Sequence, residues 1–337
     1  MELHPALLGL GALFLLGLAA DEIGRRTAIP RVTLVMATGV ALGPGVTGAI
    51  PPALEAWYEP LSVAALTMVA FLLGGSLSFE ALRAHGRAIL VMSVAVALAS
   101  SLIVLGGLLA AGVAAPLALM LGGIAAATDP AATRDVVRQT AATCRFPKLL
   151  LGVVAVDDAW GIILFSLLMV AARGLDGAGG LGAVTTGLWE IGGALALGAA
   201  LGLPAAALTG RIQPGEPMLV EALGIVFLCA GLAVWLEVSH LLAGMTCGAV
   251  LRNRARHHDR PFHEIEHVQW PFLTLFFVLA GASLELAALA ALAPLVALTV
   301  ALRAAARVAG GWAGGWIAGL APAERRWAGV GLMPQAG

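Results

Sequence analysis

The sequence predicts an all-α polytopic membrane protein, and three observations predict it. Hydrophobic residues make up 60% of the 337 residues and charged residues only 12%, whereas soluble domains are about 45–50% apolar and about 25% charged. The apolar residues form long runs, and the basic residues lie mostly between these runs. The composition excludes a water-soluble globule and a disordered chain, and a formal net charge of -1 provides no field that attracts nucleic acid.

The apolar runs have the length of membrane-spanning helices, which need about 20 mostly apolar residues. We predict eleven segments, H1 to H11, at residues 5–20, 29–49, 61–79, 88–113, 116–139, 148–172, 183–209, 217–236, 239–251, 269–289 and 291–319. H1 could be a signal peptide, but the residues before it contain no Lys or Arg. Because signal peptides begin with a basic region, we predict that H1 is a retained helix.

The basic residues lie on one predicted side of the membrane. Sixteen of the 19 Lys and Arg residues lie in alternate loops or at the segment ends beside them, Arg173 lies in an intervening loop, and Arg303 and Arg307 lie inside H11. Since cytoplasmic loops carry the excess of Lys and Arg, the pattern predicts a cell-membrane protein with its N-terminus outside. The short H9 is needed to keep this alternation.

A further apolar run begins at Trp327 and continues to Gly337. It predicts the opening of a twelfth helix, so we expect the sequence to be a fragment that lacks about 50 residues of two more helices. The three cysteines (Cys144, Cys229 and Cys247) have no paired spacing. They therefore indicate neither a disulfide framework nor a zinc ribbon.

Two adjacent carboxylates, Asp157 and Asp158, lie in the middle of H6. A charged group at membrane depth is costly and indicates function. The alternative is a loop that divides H6, but apolar residues flank the pair on both sides. Neighbouring side chains on a helix point about 100° apart, so one carboxylate can face a cavity and the other a neighbouring helix. Such a pair titrates as a coupled unit and can hold a proton or a hard cation.

Segment H5 contains Thr128, Asp129 and Pro130. Proline interrupts the backbone hydrogen bonds of a helix, and Asp and Thr can cap freed amides. A helix that is broken at the membrane midplane is typical of transporters. The N-cap of an ordinary helix, with Pro in its first turn, explains the same residues, and both interpretations stay open.

Arg303 and Arg307 lie four residues apart in H11 and therefore on one helix face. Arg303 could extend to the membrane surface if H11 began later. Arg307 has apolar sequence on both sides, and a buried Arg needs a carboxylate, which H6 offers.

Residues 263–267 match the H-E-x-x-H motif of zinc proteases. An intramembrane protease would place its Leu-Asp-Gly element after this motif, but residues 175–177 precede it. The motif also lies beside the basic stretch 252–260, so we interpret it as the solvated, amphipathic start of H10. His257 and His258 are interpreted as loop residues.

Five motifs together resemble the monovalent cation:proton antiporter superfamily, and within it the branch with paired aspartates. They are residues 128–130 in H5, residues 156–158 with Gly161 in H6, residues 71–77 with Arg83 and Arg87 after H3, residues 271–284 in H10, and residues 331–337. Each motif is short, and their joint order along the chain carries the resemblance.

The resemblance implies an inverted-repeat fold with discontinuous crossing helices, here eleven complete helices and part of a twelfth. It divides the chain into scaffold helices H1–H3 (1–87), first core helices H4–H6 (88–172), a linker helix H7 (173–210), scaffold helices H8–H10 (211–289), and second core helices (290–337). It also implies a homodimer through the scaffold, and a regulatory cytosolic domain could follow Gly337. Because residues 290–337 stop within H12, we expect this polypeptide not to transport.

The resemblance assigns roles to individual residues. It makes Asp158 the primary carboxylate for the cation and the proton, Asp157 its partner, and Thr128 a further oxygen ligand. Asp129 compensates the half-helix ends at the break that Pro130 makes.

Arg307 is the best match to the basic partner on H11, and Arg303 is the second choice. Members of this branch often have Lys there, and Arg, unlike Lys, does not release its proton. Electroneutral exchange is therefore favoured over two protons per cation. The other branch has a Glu one turn before the Asp, where this chain has Val153.

The resemblance implies a secondary transporter, not an enzyme, that exchanges Na⁺, or K⁺ or Li⁺, for H⁺ by alternating access within the lipid membrane. It requires no metal cofactor and no nucleotide. An inverted-repeat symporter or channel without proton coupling is the alternative, and a zinc protease through residues 263–267 is a remote one.

Overall fold

The computed structural model describes residues 3–27, 31–51, 54, 56–77, 79–128, 145–175, 181–208, 218–255 and 259–333. These residues form thirteen α-helices and no strand. The helices are α1 (Leu3–Arg26), α2 (Arg31–Leu42), α3 (Tyr58–Ser76), α4 (Phe79–Ala110), α5 (Ala115–Ile124), α6 (Arg145–Arg173), α7 (Leu181–Leu208), α8 (Met218–Trp235), α9 (His240–Arg254), α10 (Asp259–Ala282), α11 (Leu286–Ala291), α12 (Ala293–Ile317) and α13 (Pro322–Gly331).

Seven helices in the described part of the chain are long and apolar enough to cross a membrane. They are the spans Leu7–Gly24, Tyr58–Gly75, Gly86–Ala110, Thr185–Leu208, Met218–Trp235, Arg260–Ala282 and Ala293–Ile317. Large apolar side chains on their outer faces are exposed, for example Leu8 at 71% and Trp235 at 75%. Because lipid is the solvent that accepts such a surface, the chain is a multi-pass membrane protein, as its composition predicts.

Two helices begin earlier than the predicted segments that they match, H4 and H10. Helix α4 begins at Phe79, so Arg83 and Arg87 belong to its first turns and not to a loop. Helix α10 begins at Asp259, so the H-E-x-x-H motif is helical. Charged residues at the end of a membrane helix can lie outside the hydrocarbon layer, and the helix therefore continues beyond its apolar run.

Segment H11 corresponds to one helix, α12, and the short helix α11 lies between α10 and α12. The short α11 ends at Ala291, and α12 begins at Ala293 with Pro294 in its first turn. Proline suits this position because the first amides of a helix have no partner within it. The helix that carries Arg303 and Arg307 therefore begins two residues later than predicted.

The helices pack in two groups. In one group, α3 and α7 pack against α9, and α2 packs against α10. In the other group, α4 packs against α12, α5 and α6, and α12 packs against α13. Helix α6 joins the groups through contacts with α3, α7 and α9.

Helix α13 lies directly against the backbone of α12. A Cβ atom at Gly329 would overlap the carbonyl oxygen of Arg307, and one at Gly311 would overlap the amide nitrogen of Gly329. Only glycine permits this approach, because any side chain would push the two backbones apart. The contact brings the end of α13 to the two arginines of α12.

A buried apolar cluster packs beside the contact between α12 and α13. Its members come from α4, α6 and the α13 region, and they are Ile89, Met92, Val96, Leu149, Leu150, Val153, Val154, Val156, Leu320, Ala328 and Leu332. The cluster holds the middle of α6 beside α4 and α13, and this is where the paired aspartates lie.

Candidate ion-binding site

Helix α5 stops before Asp129. Its last helical residue is Ile124, and residues 127 and 128 are not helical. The amides of residues 125–127 bond back to carbonyls of the last helical turn, so the carbonyls of these three residues are left for other donors. Asp129 and Pro130 lie outside the described residues, and so does the rest of the predicted segment H5.

Two arginines of α12 donate hydrogen bonds to the carbonyl groups at the end of α5. Arg307 donates through Nη2 to the carbonyl oxygens of Ala125 at 3.2 Å and Ala127 at 2.8 Å, and also to that of Ala126. Arg303 donates through Nε to Ala125 at 3.3 Å and through Nη2 to Ala127 at 2.9 Å. The C-terminal end of a helix carries a partial negative charge, and the two guanidinium groups compensate it.

Arg307 also binds a carboxylate of α6. Its Nη1 lies 2.8 Å from Oδ2 of Asp157 and 2.8 Å from the hydroxyl oxygen of Thr128. The Thr128 hydroxyl donates to the same Asp157 oxygen. Asp157, Thr128 and Arg307 are completely buried, so the charges attract one another without screening by water.

Helix α6 is continuous from Arg145 to Arg173, so the alternative of a loop at the aspartate pair is wrong. Asp158 follows Asp157 within this helix, and its side chain lies outside the described part of the structure. The next turn contains Gly161, where a Cβ atom would lie 3.2 Å from the Cα atom of Ala127. This small residue lets α6 approach the end of α5 and brings Asp157 to Thr128.

Three buried polar atoms near the aspartate pair have no hydrogen-bond partner in the described part of the chain. They are Oδ1 of Asp157, Nε of Arg307 and the indole Nε1 of Trp160, which lies one turn farther along α6. A buried polar group without a partner is costly. In a membrane protein, such groups are sites where an ion or water can bind.

The structure brings together Asp157, Thr128, Arg303 and Arg307 from three helices. Sequence reasoning did not identify the backbone carbonyls of residues 125–127 as their partners. No sequence signal distinguishes these carbonyls, since every residue has one. Trp160 was also missed, although its position one turn after the aspartate pair in an apolar helix was a usable signal.

The H-E-x-x-H motif does not form a metal site within the described residues. His263 and Glu266 are exposed on α10, and Nδ1 of His263 lies 3.8 Å from Oε2 of Glu266. No group of three or more His, Cys, Asp or Glu in the described residues could hold a metal ion. His257 and His258 lie outside the described residues.

A known protein family matches almost the whole chain. The family model described as sodium/hydrogen exchanger, transmembrane, matches residues 10–336. No curated protein matches the sequence.

Two solved structures of the sodium proton antiporter MjNhaP1 from Methanocaldococcus jannaschii have a similar fold. The structure at pH 8 has a TM-score of 0.79 and 19% identity, and the alignment covers 99% of this chain and 85% of that one. The structure from an electron-microscopy map has a TM-score of 0.75 and 19% identity over 96% and 81% of the two chains.

The match of the family model over nearly the whole length, together with the all-helical membrane fold, shows the family. The chain belongs to the sodium/hydrogen exchanger family, and it is a cation:proton antiporter rather than an enzyme.

Proposed function

We propose that this protein exchanges Na⁺ for H⁺ at Asp158, beside a fixed ion pair of Asp157 and Arg307. The observation that carries the proposal is the complete burial of that pair at the end of α5. Because Arg307 compensates Asp157, the neighbouring carboxylate is the one that is available to a proton or a cation. Hard alkali cations prefer such oxygen ligands.

The fixed pair determines the proposed stoichiometry. A guanidinium group retains its proton, so neither Arg307 nor the carboxylate that it binds releases one during the cycle. One carboxylate, that of Asp158, then carries either one proton or one monovalent cation. Exchange is therefore electroneutral, with one proton for each cation.

Thr128 and Oδ1 of Asp157 are the proposed further oxygen ligands of the cation that Asp158 binds. The Thr128 hydroxyl lies at the end of α5 and contacts Asp157, and Oδ1 has no hydrogen-bond partner in the described residues. Asp129 and Pro130 follow directly, and we assign to them the helix break and the compensation of its charge.

The two packing groups support the proposed alternating access. The proposed mobile core contains α4, α5, α6, α12 and α13, and the proposed scaffold contains α1, α2, α3, α8, α9 and α10, with α7 as the linker. Movement of the core against the scaffold exposes the site to each side in turn. We further propose a homodimer through the scaffold and a cell-membrane orientation with the N-terminus outside.

Proteoliposomes that contain the full-length protein test this function. Addition of Na⁺ should collapse an imposed pH gradient, and Asp158→Ala should abolish the collapse. Asp21→Asn is the matched control, because Asp21 is a buried carboxylate on α1, away from the site. Continued Na⁺-induced proton movement in Asp158→Ala would exclude the mechanism.

The same vesicles distinguish cation:proton exchange from the competing functions, and they show which cation is transported. A channel or an uncoupled symporter would move Na⁺ under an electrical gradient without changing the internal pH. Parallel additions of Na⁺, Li⁺ and K⁺ at equal concentrations determine which cation the site accepts.

A further inference from the structure

Arg303 contacts the ends of two different helices. Its Nε and Nη2 donate to the carbonyls of Ala125 and Ala127 after α5. Its Nη1 donates to the carbonyl of Met333 after α13 at 2.7 Å. One buried guanidinium group therefore bridges two chain segments that lie far apart in the sequence.

The Met333 carbonyl is comparable to the carbonyls at the end of α5. Helix α13 ends at Gly331, and the amides of Leu332 and Met333 bond back to the carbonyls of Gly329 and Val330. The carbonyl of Met333 then points beyond the helix end, as those of residues 125–127 do at α5. Both ends present partial negative charge, and an unpaired carbonyl that is kept from water costs several kcal/mol.

Arg303 and Arg307 make different contacts, although they lie one turn apart on α12. Arg307 binds the end of α5, Thr128 and Asp157. Arg303 binds the end of α5 and Met333. The charge on Arg307 therefore belongs to the ion-binding site, whereas Arg303 lies between the two helix ends.

We propose that Arg303 is a positioning residue that ties the end of α5 to the end of α13, so that the two ends move as one unit during transport. This inference rests on the proposed function for its kinetic consequence, but the tie itself is a structural claim. Arginine suits the role because its planar group offers five N–H donors in several directions. A lysine ammonium is a compact point charge and cannot span both ends in the same way.

The tie can be measured without transport. Spin labels at Leu117→Cys on α5 and Trp327→Cys on α13 report the distance between the helices, since both native side chains are exposed. The background lacks the native Cys144, Cys229 and Cys247. Electron paramagnetic resonance of the full-length protein in nanodiscs should show one narrow distance distribution.

Arg303→Lys and Arg303→Gln should both broaden that distribution. Thr299→Val is the matched control, because the Thr299 hydroxyl bonds only to the carbonyl of Leu295 on its own helix, one turn before Arg303. An unchanged width in Arg303→Gln would overturn the proposal. Failure of Arg303→Lys to fold, with normal folding of Thr299→Val, would also overturn it, since Arg303 would then be a folding residue.

Transport kinetics test the consequence of the tie. In Arg303→Lys, we expect the maximal rate to fall by about ten-fold or more, because a small misplacement of helix ends slows the cycle strongly. The half-saturating Na⁺ concentration should stay within about two-fold, since Arg303 is not a cation ligand. A large rise in half-saturation at an unchanged maximal rate would assign Arg303 to the ion-binding site instead and would overturn the proposal.

The two measurements separate the two proposals. If the unmodified protein does not exchange Na⁺ for H⁺, the proposed function fails, and the distance distributions still decide whether Arg303 ties the helices. If exchange occurs and the distributions do not change, only the positioning role fails.

Discussion

Nη1 of Arg307 lies 2.8 Å from Oδ2 of Asp157, and neither side chain has any exposed surface. The two residues are 150 positions apart in the sequence and come from α12 and α6. An ion pair that is removed from water needs further hydrogen bonds to offset the loss of hydration. Here Thr128 and the carbonyls at the end of α5 supply several of them, whereas Oδ1 of Asp157 and Nε of Arg307 have no partner among the described residues.

Breaking this pair should strongly destabilise the protein. Arg307→Met leaves an uncompensated buried carboxylate, which costs about 3–5 kcal/mol, and we expect a lower melting temperature and no exchange. The exposed pair of Arg26 and Glu22, at 2.6 Å, is the control. Arg26→Met should change stability by less than about 1 kcal/mol. Equal shifts in thermal unfolding for the two variants would contradict the buried ion pair.

Replacing both partners should recover stability but not transport. In Arg307→Met with Asp157→Leu, no buried charge of the pair remains, and apolar replacements of a buried pair are often neutral. We expect a melting temperature above that of Arg307→Met alone, with exchange still absent. Melting temperatures of the two single variants and the double variant form the double-mutant cycle. A double variant as unstable as the sum of the singles would show that the two residues do not interact.

Transport by the unmodified protein should not depend on voltage. One proton for one monovalent cation moves no net charge, whereas each net charge would add about 2.3 kcal/mol per 100 mV. Exchange rates in vesicles with the potential clamped at zero and at a negative value test this. If the Na⁺ gradient at steady state differed between the two potentials, the transport would move net charge. That result would contradict the proposal that Asp157 and Arg307 form a fixed pair.

Gly329→Ala should disrupt the contact between α13 and α12. The added methyl group would overlap the carbonyl oxygen of Arg307, so the two helix backbones must separate. We expect lower thermal stability and a large loss of exchange. Gly106→Ala is the matched control, because a Cβ atom there meets nothing within 4 Å, and Ala stabilises a helix interior by roughly 0.5–1 kcal/mol relative to Gly. Gly329→Ala with normal stability and transport would be inconsistent with the packing of α13.

The H-E-x-x-H motif should have no role in transport or catalysis. His263 is exposed on α10, and the described residues do not form a group of three metal ligands around it. His263→Ala should therefore leave Na⁺-dependent proton exchange unchanged, and the purified protein should contain no stoichiometric zinc. One zinc per chain that disappears in this variant would restore the metal-site interpretation.

Several features of the site could be predicted from local sequence. Asp157 and Asp158 stand out because lipid disfavours charge, and Arg303 and Arg307 stand out for the same reason. Helix boundaries were predicted less well, as at Phe79 and Asp259. Hydropathy detects the hydrocarbon layer, and a helix can extend beyond that layer into water.

By itself, the sequence determined that this is a helical membrane protein, and it predicted that the aspartate pair and the two arginines lie at membrane depth. Both properties depend on local composition and on the cost of charge in lipid. Only the tertiary structure decided which arginine meets which partner. Arg303 and Arg307 share one face of α12, and the sequence favours Arg307 as the basic partner but does not show what Arg303 contacts. The close packing of α13 at Gly329 places Met333 beside Arg303, and the packing of α6 at Gly161 places Asp157 beside Arg307.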